Sequence, residues 1–168
     1  MRSDALQTTA RVYSGRAPRS TLLALALFGA LLGVPGTAAR AADAIGQIKT
    51  AQGTVSIERE GTRHPAVAGD RVMQSDVVTT GADGTVGITF QDNSMMSLGP
   101  DSTLALDRFR FDTTTHDGEF ESSLKRGTLA VKSGYIVEQG PQAMRVRTPA
   151  AILGVRGTEF VVRAEAGR

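Results

Sequence analysis

His64 and His116 are the only two histidines of the 168-residue chain, so they are its only side chains that ordinarily titrate near neutral pH, and 52 positions separate them. Neither has a partner at ligand spacing, and His64 precedes Pro65 in what reads as an edge strand. Asp112, His116, Asp117 and Glu119 crowd the polar stretch DTTTHDGE, which would make a metal site if the loop folded back; such stretches are more often solvated loops. There is no cysteine nucleophile, no G-x-S-x-G elbow, no G-x-x-x-x-G-K phosphate loop and no G-x-G-x-x-G fingerprint. No catalytic, metal or cofactor-binding residue is therefore assigned, and the expectation is a protein that is not an enzyme and needs no cofactor.

Three aspartates, Asp83, Asp92 and Asp101, stand nine residues apart, each followed by a small residue and then Thr or Ser. A calcium-binding β-roll sets carboxylates in such a row, but it carries paired glycines that are missing here. The favoured reading is turn chemistry, each Asp accepting a hydrogen bond from the backbone two residues on. Arg145 and Arg147 alternate with Met144 and Val146, so both guanidinium groups leave one face of a strand. With Arg108 and Arg110 they could bind an acidic partner, although an ordinary solvated strand face is the simpler reading. Met95 and Met96 are assigned to the core.

The elements that must position these residues are strands. From Ile45 to Arg163 no window keeps apolar residues at helical spacing over three turns, while short alternating runs recur. Val55 and Ile57 precede Glu60-Gly61; Val86, Ile88 and Phe90 precede Asp92-Asn93; Leu104 and Leu106 follow Pro100-Asp101; Leu129 and Val131 precede Ser133-Gly134. These residues, with Val146, Phe160 and Val162, form the expected core. The fold class is all-β: an antiparallel β-sandwich or jelly-roll-like stack, or a short β-solenoid.

Residues 1–41 read as a signal peptide. Arg2, Arg11, Arg16 and Arg19 precede the uncharged run Thr21 to Val34, Pro35-Gly36 break it, and Ala39-Arg40-Ala41 offers an A-x-A-like cleavage site after Ala41. Fourteen residues at helical rise reach only ~21 Å, short of the roughly 30 Å hydrocarbon core, which disfavours an uncleaved anchor. Residues 42–168 then form the mature β-domain, periplasmic or secreted, touching a membrane only through the export signal if that stays uncleaved. Five of the 19 basic residues precede residue 42, leaving 14 basic against 16 acidic side chains, so the mature part has no overall basic attraction for nucleic acid.

Residues 146–162 read VRTPAAILGVRGTEFVV, and Thr148, Pro149, Val155, Arg156, Gly157, Thr158 and Phe160 fit a closing motif T-P-x-A-x-x-x-V-R-G-T-x-F. This motif resembles that of the FecR domain, the periplasmic portion of ferric-citrate-type regulators. Upstream landmarks agree: Gly53-Thr54-Val55, Gly69-Asp70 with Val78-Thr79-Thr80-Gly81 as a G-D-x-V-x-T-G step, Phe90 to Ser94 as a strand and D-G-S turn, and Leu124 to Val131 as L-x-x-G-x-L-x-V. The resemblance spans about residues 46 to 163. It implies a signal-sensing or protein-interaction module of the envelope whose partner is an envelope or receptor protein. Only 20 residues precede the apolar run, too few for the family's anti-sigma segment.

The motif residues also have physical readings. Pro149 should end the strand Met144 to Thr148 or lie at an edge. Gly154 and Gly157 bracket a sharp bend at Val155-Arg156, and Arg156 is expected to tie neighbouring carbonyls or a carboxylate in place, with partner contact as the alternative. With the sequence stopping at Arg168, the closing strand is expected to lack its usual neighbour, an edge open to another strand. A glycan- or peptidoglycan-binding module is the rival function, weakened by the lack of Trp and by Tyr135 being the one tyrosine after residue 41.

Overall fold

Alternating apolar residues bury one face of a strand, and the described residues form twelve strands, most of them of this kind, and one short helix. The computed structural model describes residues 43–140, 142–157 and 159–165; residues 1–41, which read as a signal peptide, lie outside them. The strands are β1 (Ala44–Gln52), β2 (Val55–Arg59), β3 (Thr62–Pro65), β4 (Arg71–Met73), β5 (Val77–Thr80), β6 (Thr85–Phe90), β7 (Met95–Leu98), β8 (Thr103–Phe111), β9 (Gly118–Lys132), β10 (Met144–Arg147), β11 (Ile152–Gly154) and β12 (Glu159–Ala164), with helix α1 (Tyr135–Gln139) between β9 and β10. Among the described residues no helix is long and apolar enough to cross a membrane.

The all-β class expected from the sequence is what the structure shows, as one curled sheet in the order β3-β2-β5-β8-β9-β7-β6-β1-β4. β9 joins its two wings. The first half of β9 pairs with β8 and β10, whereas its second half pairs with β7 and β12. The wings close on a shared interior in which Phe90 of β6 meets Phe120 of β9 at 4.6 Å between ring centroids and Phe109 of β8 at 6.0 Å. Edge-to-face and offset contacts of this kind add to the burial of the rings.

Of the twelve alternating strand residues expected in the core, ten are buried, while Phe160 and Val162 are half-buried and pack against it. Their strand, β12, lies at an edge and has one neighbour among the described residues. Met96 is fully buried but Met95 is 44% exposed, which corrects its core assignment: the pleat of β7 sends neighbouring side chains to opposite faces.

Two other features depart from the expected pattern. β10 runs parallel to β9, not antiparallel, because the chain returns through α1 before pairing again. β9 also changes its inward face: Phe120, Ser122 and Leu124 are buried, Lys125 and Arg126 are both exposed, and Leu129 and Val131 resume the burial. A register shift against β8 and Gly127, at φ +93°, produce this slip.

Buried polar groups fasten the points where the chain passes from one wing to the other. Fully buried Asp76 receives both Nε (2.8 Å) and Nη2 (2.7 Å) of Arg59, and its Oδ2 also accepts the Met73 amide at 2.8 Å. The same Nη2 reaches the Arg71 carbonyl at 3.0 Å, so one ion pair connects β2, β4 and the start of β5. At the β7–β8 turn, Thr80 Oγ1 donates to the Gly99 carbonyl at 2.7 Å and accepts the Ser102 amide at 2.9 Å, while Ser102 Oγ accepts the Thr128 amide at 3.0 Å.

Candidate interaction surface

The closing motif folds as a hairpin and a bend. β10 ends at Arg147, one residue before the limit expected from Pro149, and Thr148 to Ala151 form the loop to β11. Thr148 holds it closed: its amide donates to the Ala151 carbonyl at 2.8 Å, and its Oγ1 accepts the Ala151 amide at 3.1 Å. Val155 is buried and its amide donates to the Met144 carbonyl at 3.0 Å, anchoring the bend that carries the chain from β11 toward β12. Gly157 has φ +150°, a backbone angle that favours glycine, and its carbonyl accepts Ser133 Oγ at 2.6 Å. Thr158 lies outside the described residues.

The bend carries Arg156, for which the sequence offers a structural tie or a partner contact. Its side chain is exposed and makes no hydrogen bond or ion pair among the described residues, because the Val155 amide and the Gly157 carbonyl already fix the bend through the backbone. Arg156 therefore projects beside Ile152, which is 66% exposed, over a depression of about 370 Å³ also lined by Gln142, Arg145 and Gly154. Ile152 carried no signal in the sequence, since in the apolar run Ala150 to Leu153 nothing sets it apart from its neighbours.

Arg145 and Arg147 point outward as expected, with Met144 and Val146 fully buried behind them. They form a charge ladder across three strands: Arg145 to Glu121 at 3.0 Å and to Glu119 at 3.7 Å, Arg147 to Glu121 at 3.4 Å, and Arg108 to Glu119 at 3.3 Å. Arg110 lies opposite Glu119 in register and makes no ion pair among the described residues. The two glutamates thus already engage three of the four arginines, and half-exposed pairs of this kind add little stability each.

The hydrogen bond from Arg145 holds the Glu121 carboxyl below the usual glutamate range. The Thr54 amide does the same for Asp83, as do the Thr115 and Thr114 amides for Asp112. A carboxylate with a lowered folded-state pKa stabilises the fold above its ordinary value, near pH 4, and loses that contribution as pH falls through the lowered one. Melting temperature should accordingly fall below about pH 4, and Glu121→Gln should flatten part of that acid-side slope. Identical slopes in both proteins would show that Glu121 is not among the responsible groups.

The other candidate chemistry stays apart. Exposed His64 sits on β3, an edge strand as expected, paired in register with Ile57 of β2. His116, at φ +62°, stacks on Tyr135 with centroids 4.5 Å apart, so one face of that candidate sugar platform is covered. Asp112 turns inward to the Thr114 and Thr115 amides, and no three metal-ligating side chains converge among the described residues. Of the three spaced aspartates, Asp92 accepts the Ser94 amide two residues on, Asp83 reaches instead to the Thr54 amide, and Asp101 takes a turn position at φ +52°.

A family model described as FecR protein matches residues 76–168, more than half of the sequence. The chain belongs to the FecR family. No curated protein and no solved structure matches it. FecR proteins are a sensing and regulatory family of the bacterial envelope, one not known for enzymatic activity. In this FecR chain the match opens on Asp76, which occupies the Asp of D-x-V-x-T-G directly before Val77 to Gly81; Asp70, assigned to that step from sequence, instead accepts the Val67 amide at 2.9 Å. β1 to β4 precede the match yet contribute Ile48, Val55, Ile57 and Val72 to the core of the same FecR fold.

Proposed function

We propose that this FecR-family chain is a secreted, non-enzymatic signal-sensing module of the bacterial envelope that binds a partner protein through the bend at Arg156 and the adjoining β10–β11 hairpin. One observation carries the reading: Arg156 is an exposed guanidinium, unengaged among the described residues, held on a backbone-fixed bend beside the exposed Ile152. A planar cation next to an apolar side chain suits a partner segment that offers a carboxylate and an aliphatic or aromatic anchor. The arginine ladder extends the same surface with a modest positive excess that favours acidic partners.

Capture from envelope extract tests this. Arg156→Glu and Ile152→Asp should each weaken recovery of the partner about tenfold or more, as loss of an interface anchor does. Both residues are exposed, so the melting temperature should stay where it was. Unchanged capture by both variants would refute the proposed surface, and saturable glycan binding without any protein partner would replace the function.

A further inference from the structure

The bend at Arg156 separates two recesses. The first, of about 370 Å³, lies against Gln142, Arg145 and Ile152; the second, of about 220 Å³, lies against Leu153, Val155 and Phe160. Gly154 and Arg156 line both, so the end of β11 is a low ridge between them. The first recess is cationic. Arg156 has no hydrogen bond or ion pair among the described residues, and Arg145 uses Nη1 alone to reach Glu121 and Glu119. The second has apolar walls, Val155 being buried and Leu153 and Phe160 half-buried; exposed Glu159 also borders it and lies 3.9 Å from Lys132.

Building on the interaction surface proposed above, we infer that what docks here is the C-terminal end of a partner chain. Its α-carboxylate enters the first recess, and its last side chain, which is apolar, enters the second. In a chain end both groups leave the same Cα, so one residue seated on Gly154 sends them to the two sides of the ridge. A terminal carboxylate also offers both oxygens to the planar fork of Arg156. An internal Asp or Glu must take its apolar group from the next residue, about 3.3 Å along the chain. Its backbone must also run on past Gly154, where β11 ends and offers no further strand to lie beside.

A lone small molecule fits less well. Gln142, Ile152, Gly154 and Arg156 are all exposed, so the recesses are shallow and would leave such a ligand largely in water. A chain gains further contact along the exposed Ile152.

Fluorescence anisotropy on protein purified from cells expressing the full sequence provides the test. The probes are dye-labelled octapeptides of Gly and Ser ending in Leu, Phe, Ser or Lys, each made as the free acid and as the amide. The acids ending in Leu or Phe should bind at least about tenfold more tightly than their amides and than the Ser and Lys ends. Arg156→Glu should remove the advantage of acid over amide. Gly154 lies outside the left-handed region, and a Cβ built on it meets nothing within 4 Å. Gly154→Val should therefore leave the melting temperature unchanged, yet fill the ridge and weaken the acids at least about tenfold. Absence of binding by every peptide, equal binding of acid and amide, or indifference to Gly154→Val overturns the inference. So does N-acetyl-leucine binding as tightly as the Leu-ended peptide. If Arg156→Glu weakens capture from envelope extract while acid and amide peptides bind alike, the interaction surface stands and only the chain end is lost.

Discussion

Asp76→Ala should cost about 2–4 kcal/mol, somewhat less than the roughly 3–5 kcal/mol of a fully buried ion pair, because the Arg59 side chain keeps 35% of its surface in solvent. Asp76 is fully buried and supports three separate donors: two from Arg59 and the Met73 amide. Arg59 is held more firmly protonated than usual, chiefly by its hydrogen bond to Asp76, so without the carboxylate a charged guanidinium loses its partner and a buried amide loses its acceptor. A domain of this size is stable by only about 5–15 kcal/mol, so the melting temperature should fall by roughly 10–20 °C. The reverse truncation, Arg59→Ala, strands the carboxylate and should be comparably damaging. Replacing both by leucine should cost less than the two single losses added together, because no unpaired charge is left. A change below about 1 kcal/mol in Asp76→Ala would show the pair to be dispensable.

Gly127→Ala should be nearly as severe. The residue sits at φ +93°, and a Cβ there would lie 2.1 Å from Ser102 Oγ and 2.4 Å from Ser102 Cα. Shortening Ser102 to alanine would not open the space, since its Cα and Cβ stand inside contact distance themselves. Gly61 provides the control. It has φ +77° in the β2–β3 turn, with nothing within 4 Å of the added methyl, so Gly61→Ala carries only the backbone penalty of about 1–2 kcal/mol. Gly127→Ala adds the overlap to that penalty and should reach about 3 kcal/mol or more. Equal losses in chemical denaturation of the two variants would contradict the tight passage at Gly127.

Much of this was legible because simple alternation survives wherever a strand is regular. Val86, Ile88 and Phe90 lie on one buried face, and Glu60-Gly61 takes positive φ at both turn positions, as a two-residue hairpin requires. Asn93 takes φ +63° where the family pattern has Gly, since a short amide side chain tolerates that region. β8 and β9 were harder because their inward faces change phase. In β8, Leu104 and Leu106 are buried, Asp107 and Arg108 both face solvent, and burial resumes at Phe109, whose amide at the irregularity is taken by Gln74 at 3.0 Å. A fixed period therefore misses Phe109 and Phe120, two of the three rings at the centre of the core. Asp76 escaped because one buried carboxylate looks like any turn aspartate until its partner Arg59, 17 positions away, is placed beside it. The closing motif was legible as a segment, but the backbone bonds that fix its bend, from the Val155 amide to Met144 and from Ser133 to the Gly157 carbonyl, join positions too far apart for a local pattern to show.

The double allegiance of β9 also governs how a nascent chain can acquire its structure. Synthesis supplies β1 to β8 first, and these pair into two half-sheets ending at β7 and β8, with no strand between them. That join waits until residue 132 has emerged, and β10 and β12 can then dock only on a strand already in place. Assembly is consequently late and dominated by partners remote in the sequence, which belongs to the millisecond-to-second class of folding times.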